Sequence, residues 1–251
     1  MRSDDPQYPG CPVTVAEAVD AGVVLRPARW DIADVLITIA LTIALAVIGT
    51  AVMAALGTPL PVRIIAGALL SWIGLAGWPM LATWRRGNGP RIDLGLQLTW
   101  SGVRTGAVGG LIALAVAAII AALLMRFVGA FNSAAGEAAA IIAADGSRVA
   151  MIAFAAMVLV GAPVVEEVAF RGLVFGVVRK RGLGTWWAIA ISAVLFAAIH
   201  LELTRIPLLL GIGLVLGWVR ARSRSTGPAI IAHGVVNAPG ALFLLFGGVT
   251  P

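Results

Sequence analysis

The sequence is poor in charge, in cysteine and in histidine, and each shortage narrows what the chain can be. Only 12% of its 251 residues are charged, against 60% hydrophobic. A soluble domain of this length typically carries about twice that charged fraction. The apolar surplus must face lipid, so the expected fold is all-α, a polytopic transmembrane helical bundle. One cysteine, Cys11, excludes an intrachain disulfide and a cysteine metal centre. It reads as a free thiol in a mobile tail. The chain has only two histidines, His200 and His233, both in apolar segments, and no HExxH run is present, which excludes a standard zincin helix. Tandem repeats and low-complexity tracts are also lacking. The net charge of +6 does not point to nucleic acid. The basic residues fall in short clusters between apolar runs, as a positive-inside bias would place them.

Three regions follow from this pattern. Residues 1–30 are polar and read as a cytoplasmic N-terminal tail, partly disordered, with Arg26, Arg29 and Trp30 anchoring its end at the interface. They lack the short basic start and immediate apolar stretch of a signal peptide. Residues 31–147 hold N-terminal transmembrane helices, with spans expected near 35–56, 64–84 and 103–128, each long enough for about 30 Å of hydrocarbon. Gly106 and Gly110 form a GxxxG pair that permits close helix packing. Residues 129–147 read as an Ala/Gly-rich loop. Residues 148–251 form the third region. Its first apolar stretch, 149–178, is too long for one upright span and contains Pro163, expected to bend or break the helix. Further spans are expected near 186–200, 206–219 and 229–246. The total is seven, or eight if 149–178 is two passes. With the N-terminus inside, Arg85, Arg86 and Arg91, then Arg179, Lys180 and Arg181, then Arg220, Arg222 and Arg224 all fall inside. Eight passes would put the two later clusters outside.

The chemistry-bearing residues concentrate in the third region. Glu166, Glu167 and Arg171 lie within six residues inside an apolar stretch. An intramembrane ionisable group costs a few kcal/mol or more, so it faces a cavity or a partner and marks function. Glu167 and Arg171 are four apart and can pair along one helix. His200 ends one apolar segment, and His233 and Asn237 stand four apart on another. Taken singly, each has a bland reading: a packing histidine, an amide between helices, an ion pair holding the bundle. Phe196 is on its face a core aromatic, and Ser192 reads as helix packing. Taken together they are two carboxylates, two imidazoles, an amide and a guanidinium. That set suits activation of water by a carboxylate or imidazole, with Asn and His donors for an oxyanion. It equally suits a divalent metal that generates hydroxide.

The order Glu166-Glu167-x-x-x-Arg171, Phe196-x-x-x-His200, His233-x-x-x-Asn237 on successive segments resembles the three motifs of the CAAX-protease and bacteriocin-processing (CPBP, or Abi) intramembrane proteases. The likeness covers roughly residues 145–245. It implies an endopeptidase acting on a membrane-associated protein or peptide in the bilayer. In that picture Glu166 and His200 activate water, His233 and Asn237 stabilise the oxyanion, and Glu167 with Arg171 supports the site. The family has been described both as metal-dependent and as glutamate-dependent. A divalent metal such as zinc would take Glu166, His200 and His233 as ligands. Bacterial relatives are linked to bacteriocin maturation, self-immunity or membrane signalling, and the composition and short loops look bacterial, in the plasma membrane. Two rival readings use the same residues: a non-enzymatic immunity or scaffold protein that binds a peptide, and a proton-coupled carrier. Counting along the segments sets Glu166 and His233 toward the inner side and His200 toward the outer end. They meet only if helices are tilted, broken or sunk, and Pro163 and Pro239 are places for that.

Overall fold

The computed structural model describes residues 8–246, in which all regular structure is helical. We number the helices α1 (Val13–Asp20), α2 (Ile32–Ala55), α3 (Leu60–Arg86), α4 (Pro90–Asp93), α5 (Trp100–Val128), α6 (Ala134–Ala144), α7 (Arg148–Lys180), α8 (Thr185–Ile199), α9 (Ile206–Ser223) and α10 (Gly227–Phe246). Six of them are long and apolar enough to cross a membrane: α2, α3, α5, α7, α9 with the 3₁₀ turn before it, and α10. The fold is therefore a polytopic helical bundle. The basic clusters, at the ends of α3, α7 and α9, gather at one end of it.

Two of the expected segments depart from simple counting. The stretch 149–178 is neither two passes nor a broken helix. It lies within α7, one rod of 33 residues, about 50 Å long. Pro163 is accommodated by a π-helical turn, Met157–Gly161, just before it. A π turn shifts the hydrogen-bond register by one residue and so absorbs a missing donor without a break. A second π-helical segment, Val168–Val174, follows Glu167 directly. The segment near 186–200 is α8, with only 15 residues, about 22 Å. That is shorter than the hydrocarbon core of about 30 Å. The expected loop at 129–147 contains α6, capped by the Ser133 hydroxyl on the Gly136 amide at 2.8 Å. Its alanine-rich sequence has high helix propensity, which accounts for the helix.

The N-terminal region is also a correction where it is described. Residues 1–7 lie outside the described residues; Tyr8 to Ala18 packs against the basic end, while residues 20–24 are exposed. Tyr8, Cys11 and Val15 form a small buried cluster. The Thr14 hydroxyl donates to the Arg91 and Ile92 carbonyls, and Arg179 Nε donates to the Pro9 carbonyl at 2.9 Å. Cys11 is thus a buried free thiol rather than one in a mobile tail, and burial pushes its pKa up. Trp30 is likewise fully buried instead of lying at the interface: its indole N–H donates to Asp93 at 2.7 Å. Burial raises the Asp93 carboxyl in spite of the Asn88 and Trp30 donors it accepts from.

Packing of α5 on α10 sets the position of His233. Gly106 and Gly110 both face α10, and a Cβ on Gly110 would stand 2.5 Å from Val235 Cβ and 2.8 Å from the Ala232 carbonyl oxygen. Replacing Gly110 by leucine should destabilise the bundle by about 1–3 kcal/mol through overpacking, seen as a lower melting temperature in detergent. Gly240→Ala, on the same helix α10 with open space around its would-be Cβ, should melt at or slightly above the wild-type temperature.

Candidate active site

The structure places Glu166, His200, His233 and Asn237 in the wall of one cavity of about 390 Å³. The depth problem disappears for two reasons. α8 is short, so His200 at its end lies sunk in the bundle. α7 is long, so Glu166 sits near its middle. The helix then runs on through the second π segment to Lys180. From Glu166 and His233 the lining extends along the N-terminal half of α7, the C-terminal half of α10 and the start of α9 to Ser133 with the start of α6 and to the turn that carries Glu202 and Arg205. The cavity therefore opens at the end of the bundle opposite the basic clusters.

Glu167 and Arg171 stand behind this wall and do not line it. Both are fully buried, joined by Arg171 Nη1 and Glu167 Oε1 at 2.8 Å. Arg171 Nη2 donates to the Gly213 carbonyl of α9 at 2.8 Å. The guanidinium lies 4.8 Å from the centroid of the Phe196 ring on α8. The Arg171 backbone carbonyl, inside the π segment, accepts from Arg220 Nε of α9 at 3.0 Å. One side chain and its own carbonyl thus tie α7 to α8 and α9. Glu167 Oε1 also meets His233 Nδ1 of α10 at 3.0 Å. A carboxylate can only accept, so Nδ1 carries the proton and Nε2 is turned toward Glu166. The His233 Nε2 to Glu166 Oε2 distance is 3.8 Å.

The two carboxylates differ in setting. Glu166 has a side chain 17% exposed, in the cavity wall, while that of Glu167 is 0% exposed. Glu166 Oε2 finds no hydrogen-bond partner among the described residues. His200 Nδ1 lies 2.7 Å from the Phe196 carbonyl four residues earlier. The carbonyl accepts, so Nδ1 donates and Nε2 keeps its lone pair. Asn237 Nδ2 donates to the Val158 carbonyl at 2.9 Å. Val158 is five residues before Pro163, so the π register would assign its carbonyl to an N–H that proline lacks. The amide of α10 supplies that donor and keeps its second N–H.

Sequence reasoning underrated Phe196 and passed over the cavity mouth. The Phe196 ring packs edge-on against His200 at 4.8 Å, His233 at 5.6 Å and Phe170 at 5.5 Å between centroids. It is the common wall of both imidazoles and the guanidinium. A phenylalanine in an apolar run carries no signal of this. Glu202 and Arg205, paired at 2.5 Å, also line the cavity near its mouth. Their i,i+3 spacing was visible, but not that the chain turns there. Among the described residues, no three His, Cys, Asp or Glu side chains are grouped to hold a metal ion. The Glu166, His200, His233 set is present in the cavity, with only Glu166 and His233 drawn close.

Removal of Arg171 would strand the buried Glu167 carboxylate. Arg171→Ala should lower stability by about 3–5 kcal/mol, read as a large drop in melting temperature or loss of folded protein, whereas Glu166→Gln should melt close to wild type.

A family model described as Rce1-like, type II CAAX prenyl endopeptidase Rce1-like, matches residues 148–239, from the first residue of α7 to Pro239 of α10. Searches of curated proteins and of solved structures give no match. The matched segment contains Glu166, Glu167, Arg171, His200, His233 and Asn237, and over residues 148–239 this chain is similar to the Rce1-like CAAX endopeptidases.

Proposed function

We propose that the protein is an intramembrane endopeptidase that hydrolyses a peptide bond of a membrane-associated protein or peptide, with Glu166 as the general base. The observation that carries this reading is the contrast between the two carboxylates. Glu167 is fully buried and committed to Arg171 and His233 behind the wall, while Glu166 lines the cavity with its side chain partly exposed. The partly exposed Glu166 carboxylate and the His233 ring, whose Nε2 lies 3.8 Å from Glu166 Oε2, border the same cavity. A water held there can pass one proton to Glu166 as its oxygen attacks the scissile carbonyl carbon. The new C–O bond moves the carbonyl electron pair onto oxygen.

The oxyanion then needs donors in a water-poor site. Glu167 holds the Nδ1 proton of His233 and fixes the ring, so that in its doubly protonated form the Nε2–H is one donor. The second N–H of Asn237 is the other. Breaking of the C–N bond requires a proton on the leaving amine, and protonated Glu166 returns it. His200, with its Nε2 lone pair, assists in taking the water proton. Were a divalent metal to bind, Glu166, His200 and His233 would be its ligands and it would supply a more acidic water. Of these three, Glu166 and His233 are the pair drawn close together. Metal content of the purified protein, with activity before and after a chelator, decides between the two.

The position of the mouth supports a further element of this reading. With the basic clusters on the cytoplasmic side, the N-terminus is cytoplasmic and the substrate enters from the opposite face of a bacterial plasma membrane. An Ala135→Cys variant, at the exposed cavity rim, should be labelled in intact cells by a membrane-impermeant maleimide, while wild type, with only buried Cys11, should not. Labelling of Ala135→Cys only after lysis overturns the orientation.

Glu166→Gln keeps the shape and removes the base. It should slow cleavage by about 10²–10⁴-fold at unchanged expression, measured by comparing cleaved peptides in membrane proteomes of wild-type and variant cells. An unchanged peptide profile and phenotype would indicate a binding role for the cavity instead.

A further inference from the structure

A second cavity, of about 650 Å³, lies at the basic end of the bundle, remote from the proposed catalytic residues. It is enclosed by α1, the first two turns of α5, the last turns of α9 and the start of α10. Its charged side chains are Arg104 of α5, Arg222 of α9 and Glu17 of α1. Glu17 is engaged by the Gln97 amide at 2.6 Å. The two arginines are exposed and form no ion pair among the described residues. This separates them from Arg86, Arg179, Arg181 and Arg224, each of which donates to a carboxylate or a backbone carbonyl. The Thr99 and Ser101 hydroxyls, 3.2 Å apart, share one hydrogen and leave another free to donate into the same space.

The walls continue into lipid-facing surface. Val108 and Trp218 line the cavity at its apolar edge. One turn deeper on α5 stand Leu111 and Ile112, and one turn deeper on α9 stands Leu214, all exposed. The two helices pack on each other, so the strips run side by side from the cavity toward the middle of the membrane. A cationic, hydroxyl-lined head end leading into an apolar track matches an amphiphile with an anionic head. Guanidinium groups bind phosphate oxygens through charge-assisted hydrogen bonds. Basic pockets between membrane helices on the cytoplasmic side are the usual setting for phospholipid head groups.

We infer that this cavity binds the phosphate head group of an anionic phospholipid of the cytoplasmic leaflet, through Arg104 and Arg222, with an acyl chain along Val108 and Trp218. The site is independent of the proposed peptidase chemistry.

The test is lipid retention by the full chain, in detergent by native mass spectrometry and in nanodiscs of phosphatidylcholine doped with phosphatidylglycerol. Wild type should retain phosphatidylglycerol selectively. Arg104→Gln with Arg222→Gln should weaken retention by roughly thirtyfold, taking the two cations as additive. The double lysine variant, with charge kept, should hold lipid close to the wild-type level. Unchanged retention in the glutamine variant overturns the proposal. An equal loss in Arg85→Gln, an exposed arginine of the same face outside the cavity, also overturns it, because general surface attraction then suffices. Displacement of the lipid by millimolar inorganic phosphate would assign the cavity to a soluble phosphate compound and overturn it as well.

Discussion

A single carboxylate with no exposure to solvent, Glu167, holds the C-terminal half of this molecule together. One of its oxygens faces both the Arg171 guanidinium and the His233 imidazole. An isolated carboxylate at that depth would be too costly to remain charged, so its partners must be present whenever the bundle is assembled. Arg171 in turn reaches the Gly213 carbonyl, and its own carbonyl takes a donor from Arg220. Four helices, α7 to α10, are thereby locked in register around one charge. The demand is mutual, since no one of these groups is tolerable without the others.

The π-helical turns make this arrangement possible. An ordinary α-helix spends each carbonyl on the N–H four residues ahead. The two π segments of α7 flank the Glu166-Glu167 pair, and each contains a carbonyl that bonds to a side chain of another helix: Val158 to Asn237, and Arg171 to Arg220. The proline that would break a plain helix is absorbed by the first of them. Irregular backbone at membrane depth is stable only where protein supplies the missing partners, and α9 and α10 supply them. The local departure from regularity and the convergence of the polar site have one physical cause.

Basic residues at the other end of the bundle do different work. Arg179, Lys180, Arg181 and Arg224 fasten the N-terminal segment and the start of α2 to the ends of α7 and α9. Their clustering reads in the sequence as a topological signal, and in the structure they are also staples. Arg104 and Arg222 stand apart because they enclose a cavity rather than close a joint.

Much of the architecture was legible from the residues alone, since lipid-facing helices need long apolar runs and charge between them. The polar set was legible because intramembrane charge is too costly to be incidental: Glu166, Glu167, Arg171, His200, His233 and Asn237 stand out against an apolar background. What only the tertiary structure decided was depth, burial and division of labour. The shortness of α8 and the length of α7 bring His200 and Glu166 to one level. Adjacent glutamates are equivalent in a sequence, and only the packing of α8 to α10 buries one and opens the other to a cavity. Cys11 and Trp30 misled for the same reason. A polar N-terminal segment gives no sign of being packed, because its partners, Arg91, Ile92, Asp93, Arg179 and Arg224, lie far along the chain. Side-chain type and spacing are local properties. Burial is decided by what the rest of the chain brings alongside.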